Sequence, residues 1–170
     1  MIILIGGATH TGKTALSQKL IEKYHFPCLS LDHLKMGFIR SGMTNLTPED
    51  DDKMTGLLWP IVKEMIKTAI ENNQNMIMEG CYIPYDWEND FEADYKKHIR
   101  YICLIMSSQY IETYFSDIKK YASVIERRLE DSYYTKELLQ KENTICLENC
   151  KKYNCNYILI DDRYEVDFEL

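Results

Sequence analysis

The sequence predicts an α/β protein whose strands form a parallel sheet covered by helices on both faces. Three observations predict it. Short, continuously apolar runs recur along the chain, as strands buried on both faces require. Amphipathic helical patterns lie between them, so strand and helix alternate. The first run also passes straight into a glycine-rich loop, Gly7-Ala8-Thr9-His10-Thr11-Gly12-Lys13-Thr14. That is the G-x-x-x-x-G-K-T pattern, which needs a buried strand before it and a helix after it.

The elements follow in order. The strand runs are Ile2–Ile5, Pro27–Leu31, Asn75–Met78, Ile99–Met106 and Tyr157–Ile160. Behind the loop, Leu16, Leu20, Ile21 and Tyr24 share one helical face. Leu58, Ile61, Val62, Met65, Ile66, Ala69 and Ile70 keep the same period, as do Ile111, Tyr114, Phe115 and Ile118. A last helix carries Leu138, Leu139, Ile145 and Cys146. Five strands behind a phosphate loop place ligands at the carboxyl edge of the sheet. Two segments break the rhythm. Residues 32–56 are polar and acidic, with Thr47-Pro48-Glu49-Asp50 as a helix start. Residues 119–135 are charged and rich in tyrosine. Near the carboxyl edge, such excursions serve as a substrate cover and a lid. At 170 residues the chain fits one domain spanning 1–170.

Composition narrows the function. The chain is 45% apolar and 28% charged, an ordinary globular mix. Its formal net charge of −7 argues against a nucleic-acid partner, which wants a basic face. No apolar stretch approaches the roughly 18 residues of a membrane span. The short apolar N-terminus reads as a strand and not as a signal peptide. The six cysteines lack the close pairing of a disulfide scaffold or zinc ribbon. Cys146 and Cys150, four apart, share a helix face as reduced core residues, so a cytoplasmic setting is expected.

The loop has a specific chemistry. Its glycines let successive N–H groups of residues Gly7 to Gly12 turn inward on a phosphate. Lys13 reaches the β- and γ-phosphates, and the Thr14 hydroxyl is a ligand for the Mg²⁺ that accompanies ATP. His10 stands where many small kinases carry a third glycine; histidine tolerates unusual φ. Asp32, in Leu29-Ser30-Leu31-Asp32-His33, ends the second strand at the loop's side of the sheet. It can accept a proton from an acceptor hydroxyl, hold Mg²⁺ through water, or cap the next helix. Glu79 occupies the matching place after the third strand, with Gly80 beside it. A buried acid there needs a metal, substrate or basic partner. Gly80 suggests close approach of a ligand or backbone. Arg127 and Arg128, in the lid segment, are candidates to neutralise charge on the transferred phosphoryl group; only one of two adjacent helical residues can face inward. Lys35 and Arg40 could hold an anionic substrate group. Arg163, after the last strand, lies near the expected place of a nucleotide base, whereas Arg100 is at the wrong end of the sheet.

On these residues the chain resembles the small P-loop kinases of the adenylate-kinase-like group, over its whole length. Leu31-Asp32 followed by a short helix, and Glu79-Gly80-x-x-x-Pro84, look most like 2-phosphoglycerate kinase. The resemblance implies a three-layer P-loop kinase fold with a helical lid. It implies ATP and Mg²⁺ as donor and cofactor, and a small-molecule acceptor. The γ-phosphoryl group would go to a hydroxyl of a small anionic metabolite resembling 2-phosphoglycerate. A nucleoside or nucleotide kinase is the alternative, although Cys81-Tyr82-Ile83-Pro84 stands where nucleoside monophosphate kinases have Phe-Pro-Arg. Other readings are a non-catalytic nucleotide-binding regulator and a toxin-like kinase acting on a cell-wall sugar nucleotide. A GTPase switch is disfavoured, because neither D-x-x-G nor N-K-x-D occurs in the chain.

Overall fold

In a computed structural model, which describes residues 1–121 and 134–170, the predicted alternation is present. Strand β1 (Ile2–Gly7) leads into helix α1 (Lys13–Tyr24). Strand β2 (Cys28–Ser30) is followed at once by α2 (Leu31–Arg40), then by α3 (Asp51–Glu71) and β3 (Met76–Glu79). A 3₁₀ turn (Trp87–Asp90) and the one-turn α4 (Ala93–Lys96) lead to β4 (Ile99–Met106). Helix α5 (Ser108–Tyr121), α6 (Lys136–Lys152) and β5 (Tyr157–Ile160) complete the described chain.

The five strands are all parallel, in the order β2-β3-β1-β4-β5. Helices cover both faces, which is the three-layer P-loop kinase fold. Strand β1 is central and every residue of it is buried. Its side chains alternate between two cores, as the period of two requires. Ile2 and Leu4 join Leu58, Val62 and Ile66 of α3. Ile3 and Ile5 join Leu16 and Leu20 of α1 and Ile111 of α5. Helix α6 serves both cores, giving Leu139 to the second and Cys146 and Cys150 to the first. Of the periodic residues, Ile61, Tyr114 and Ile145 are exposed.

Strand β2 is shorter than its apolar run. It stops at Ser30, and Leu31 already opens α2. Asp32 therefore stands in the first turn of a helix and not at a strand end. The early turn has a steric partner: a Cβ on Gly80 would lie 2.8 Å from the Cβ of Leu31. The close approach that Gly80 permits is thus to the fully buried Leu31.

Candidate active site

The phosphate loop begins where β1 ends. Gly7 and Gly12 have φ of 137° and 87°, values that β-carbon-bearing residues rarely adopt. His10 has φ 64°, so the non-glycine residue in the loop also takes the left-handed conformation. The loop is internally braced. The Thr11 hydroxyl donates to the Ala8 carbonyl at 2.8 Å, and the Lys13 ammonium donates to the same carbonyl at 2.8 Å. Helix α1 takes up its ladder at once, with Leu16 N–H donating to Gly12 at 2.9 Å.

Lys13 is buried, and two acids share its surroundings. Burial on its own would lower the Lys13 pKa. The neighbouring Cys81, Glu79 and Asp32 more than offset that, and the ammonium stays charged above the ordinary lysine range. Glu79, 1% exposed, ends β3 in register with Ile5 of β1 and Ser30 of β2. Asp32 enters from α2, two residues beyond Ser30. The register of β3 thus delivers Glu79, and the first turn of α2 delivers Asp32, to the surroundings of Lys13.

Lys35 has a different part from the one expected. Its ammonium donates to Asp51 Oδ1 at 2.6 Å, to the Tyr82 hydroxyl at 2.9 Å and to the Pro48 carbonyl at 3.1 Å. The Tyr82 hydroxyl also donates to Asp51 Oδ1, at 2.6 Å. All three N–H donors of the lysine are engaged, so it pins the cover segment to α2 and to the loop after β3. Arg40 is exposed at the far end of α2, about two turns beyond Asp32. Arg163 follows β5 at the surface, where its Nε pairs with Glu165 at 2.8 Å, with side chains 77% and 63% exposed. Arg100 lies at the start of β4, as expected. Arg127 and Arg128, with most of the proposed lid, lie outside the described residues.

Three residues from the C-terminal third reach the phosphate loop. The Tyr134 hydroxyl is 3.1 Å from Thr9 Oγ1, and its ring meets His10 edge-on with centroids 5.0 Å apart. The Tyr164 hydroxyl donates to the Thr11 carbonyl at 3.3 Å. It lies so close to Gly12 that a Cβ there would come within 1.7 Å of it. Glu142 of α6 lies near the Thr9 backbone and Lys13. Burial raises its pKa, while the Thr9 backbone and Lys13 act in the opposite sense. Sequence reasoning named none of the three. Tyr164, next to Arg163, is the one a tyrosine-versus-arginine comparison in that loop could have raised.

The loop fits a nucleotide triphosphate. Glycine-only conformations line the loop at Gly7 and Gly12, a charged lysine sits at its base, and a hydroxyl follows at Thr14. Among the described residues, no group of three or more His, Cys, Asp or Glu side chains is arranged to hold a metal by itself.

A family model, that of the zeta toxins, matches residues 1–110. The chain belongs to the zeta toxin family. The match spans the phosphate loop, Asp32, Glu79 and the central strands, all of them features placed above. No curated protein sequence matches the chain. Among solved structures, a provisionally named kinase from Chloroflexus aurantiacus superposes with a TM-score of 0.58 at 19% identity, covering 98% of this chain and 88% of that one. Deoxyadenosine kinase from M. mycoides, with dCMP and dCDP bound, gives 0.57 at 19% identity, covering 95% and 90%. A chain of the Pnkp1/Rnl/Hen1 RNA repair complex gives 0.56 at 13% identity, covering 89% of this chain and 45% of that one. At such identities the likeness is one of fold. The wider P-loop kinase resemblance holds, and closeness to 2-phosphoglycerate kinase is not among what these matches show.

Proposed function

We propose that this zeta toxin family member is a single-domain ATP-dependent phosphotransferase acting on a hydroxyl of a small molecule. One observation carries the reading: Asp32 and Glu79 converge on the buried Lys13 at the mouth of a complete phosphate loop. A protein that only bound nucleotide would have no use for two carboxylates at the place an acceptor must occupy. Mg²⁺, when bound, supplies charge neutralisation at the phosphates. The chain's own residues do the rest. Backbone N–H groups of residues 7–12 and Lys13 hold the triphosphate, and Thr14 and Glu79 are the groups suited to the metal. Asp32 orients the acceptor hydroxyl and takes its proton. Arg127 or Arg128 closes on the γ-phosphoryl group as the lid shuts and water is excluded.

The test is product formation from γ-labelled ATP over an acceptor panel, with wild type, Lys13→Ala and Asp32→Asn. Wild-type transfer lost in both variants supports the reading; transfer that survives Lys13→Ala overturns it. Arg127→Lys and Arg128→Lys should differ, because the inward arginine loses its planar fork while the outward one loses nothing. Equal, wild-type kcat in both would remove the arginines from the mechanism.

Membership in the zeta toxin family favours a second reading of the same chemistry: a growth-inhibiting kinase whose acceptor is a cell-wall sugar nucleotide. Induced expression in a bacterial host separates it from a metabolic kinase. Growth arrest with wild type and none with Lys13→Ala supports the toxin; unimpaired growth with active wild type removes it. A cytoplasmic setting, where ATP is available, accords with six free cysteines and with no described helix long and apolar enough to cross a membrane.

A further inference from the structure

We propose that Lys35, Tyr82 and Asp51 are positioning residues that together hold Asp32 in place beside Lys13 for phosphoryl transfer. This rests on the phosphotransferase reading and adds to it three side chains that act through Asp32.

The observation behind it is a closed triangle of hydrogen bonds joining three elements. Lys35 of α2 donates to the Tyr82 hydroxyl at 2.9 Å and to Asp51 Oδ1 at 2.6 Å. The Tyr82 hydroxyl donates to the same oxygen at 2.6 Å. Asp51 is the first residue of α3, and Tyr82 lies in the loop after β3. The Lys35 ammonium also lies over the Tyr82 ring, 5.4 Å from its centroid. An exposed ion pair would hold the elements weakly. Here the Lys35 side chain is only 10% exposed, and its bond to Tyr82 is buried. Turning any corner away would leave a buried donor short of a partner. Burial, with Asp51 and Asp32 close by, pushes the Tyr82 pKa well above its ordinary value, so the hydroxyl keeps the proton it donates.

The triangle matters because of what α2 carries. The helix docks on the loop after β3 at two points, one turn apart. At the first, Leu31 packs on Gly80 so closely that a Cβ there would lie 2.8 Å from its own. At the second, Lys35 meets Tyr82. Asp32 sits on the turn between these two points. The alternate residues of the same short stretch, Glu79 and Cys81, lie in the surroundings of Lys13, as does Asp32. Residues 79–82 therefore set the place of the acid-bearing helix with one pair and meet the phosphate-loop lysine with the other. A single contact between Leu31 and Gly80 is a pivot, because β2 already ends at Ser30. The Lys35 corner stops the helix from swinging about it. A group that takes a proton in the transition state must be held to within about 0.5 Å of its productive position.

Full-length protein is assayed with γ-labelled ATP and Mg²⁺ on deoxyadenosine, glucose and UDP-glucose, and the acceptor that wild type phosphorylates fastest is kept throughout. Lys35→Met and Tyr82→Phe should each lower kcat by about tenfold or more, with ATP affinity within about twofold of wild type. Tyr82→Phe keeps the ring in the core and the Lys35–Asp51 pair intact, so it carries the test if Lys35→Met does not fold. The decisive measurement is a double-mutant cycle. With Asp32→Asn already present there is no carboxylate to place, and Tyr82→Phe should then cost less than about twofold in kcat. Equal losses in the two backgrounds are what a merely structural role gives, and they overturn the proposal while leaving the phosphotransferase standing. Wild-type kcat in folded Tyr82→Phe overturns it as well, as does a loss that appears chiefly in ATP affinity. Failure of the wild type to transfer to any of the three acceptors removes the proposal together with the reading it rests on.

Discussion

The two ends of the chain build one site by different means. The N-terminal part, from β1 to β3, brings its groups through backbone geometry. The loop follows from β1, Glu79 arrives because β3 ends in register beside it, and Asp32 follows in the first turn of α2. The C-terminal part, from Tyr134 to Tyr164, brings its groups through side chains that cross long sequence distances to the loop. Thr9 meets a hydroxyl 125 residues away, and Thr11 meets one 153 residues away. The first arrangement is fixed by hydrogen-bond ladders and is hard to shift. The second depends on a few contacts at the surface, the kind that open locally at low free-energy cost. A fixed cradle and a loosely held cover is what a transferase needs if substrates are to enter and water is to be kept out.

The sharpest way to break the fixed half is Lys13→Ala. It should lower kcat by at least about 10³-fold, through loss of a charge aimed at the transferring group. The variant should still fold, but its melting temperature should fall, because the Ala8 carbonyl, Glu79 and Asp32 lose the ammonium beside them. A folded variant with wild-type turnover would show that the cradle is not catalytic. Asp32→Asn comes next, with an expected kcat loss of about 10²-fold or more for a hydroxyl acceptor and ATP affinity nearly unchanged. A loss seen only in ATP affinity would move Asp32 from the acceptor to the metal.

Where the halves touch, Gly12→Ala tests both at once. Gly12 has φ 87°, and the new Cβ would meet the Tyr164 hydroxyl. We expect destabilisation of about 1–3 kcal/mol from the backbone strain, plus displacement of Tyr164. Chemical denaturation measures the first. In the double variant Gly12→Ala/Tyr164→Ala only the strain should remain, so a smaller loss there confirms the clash.

The loose half is tested by Glu142→Gln, with the smallest effect. The carboxylate lies near the Thr9 backbone and Lys13, close to where phosphate binds, so removing its charge should tighten ATP binding by a few-fold. The pH dependence has a definite sign. Glu142 is raised above its ordinary 4.5, so the folded state holds that proton more tightly than the unfolded one. Its stabilising share is full below 4.5 and is lost as pH rises through the higher folded value. Wild type should therefore lose stability relative to Glu142→Gln across that window, as read by melting temperature at several pH values. A constant difference would mean that the carboxylate is solvated and not docked on the loop.

Sequence alone was enough for the part of the protein governed by local rules. The loop pattern requires particular residues at consecutive positions, and alternating apolar runs announce strands and helices whatever they later pack against. Strand ends of a parallel sheet share an edge, so Asp32 and Glu79 could be placed together from pattern alone, even though β2 turned out to stop two residues before Asp32. Tertiary structure decided what depends on pairing. Lys35 looked like a substrate contact because an isolated lysine reads as a free charge; only the fold showed Asp51, Tyr82 and the Pro48 carbonyl around it. Arg163 and Tyr164 are neighbours in sequence, and the turn after β5 decided that the tyrosine meets the loop while the arginine pairs with Glu165 in solvent. Tyr134 and Glu142 carry no motif, since a hydroxyl or carboxylate that docks on a backbone group needs only the right place in space. The physical division is one of range. Backbone conformation is set largely by neighbours along the chain, whereas a side chain's charge and hydrogen bonds are set by whichever residues folding brings against it.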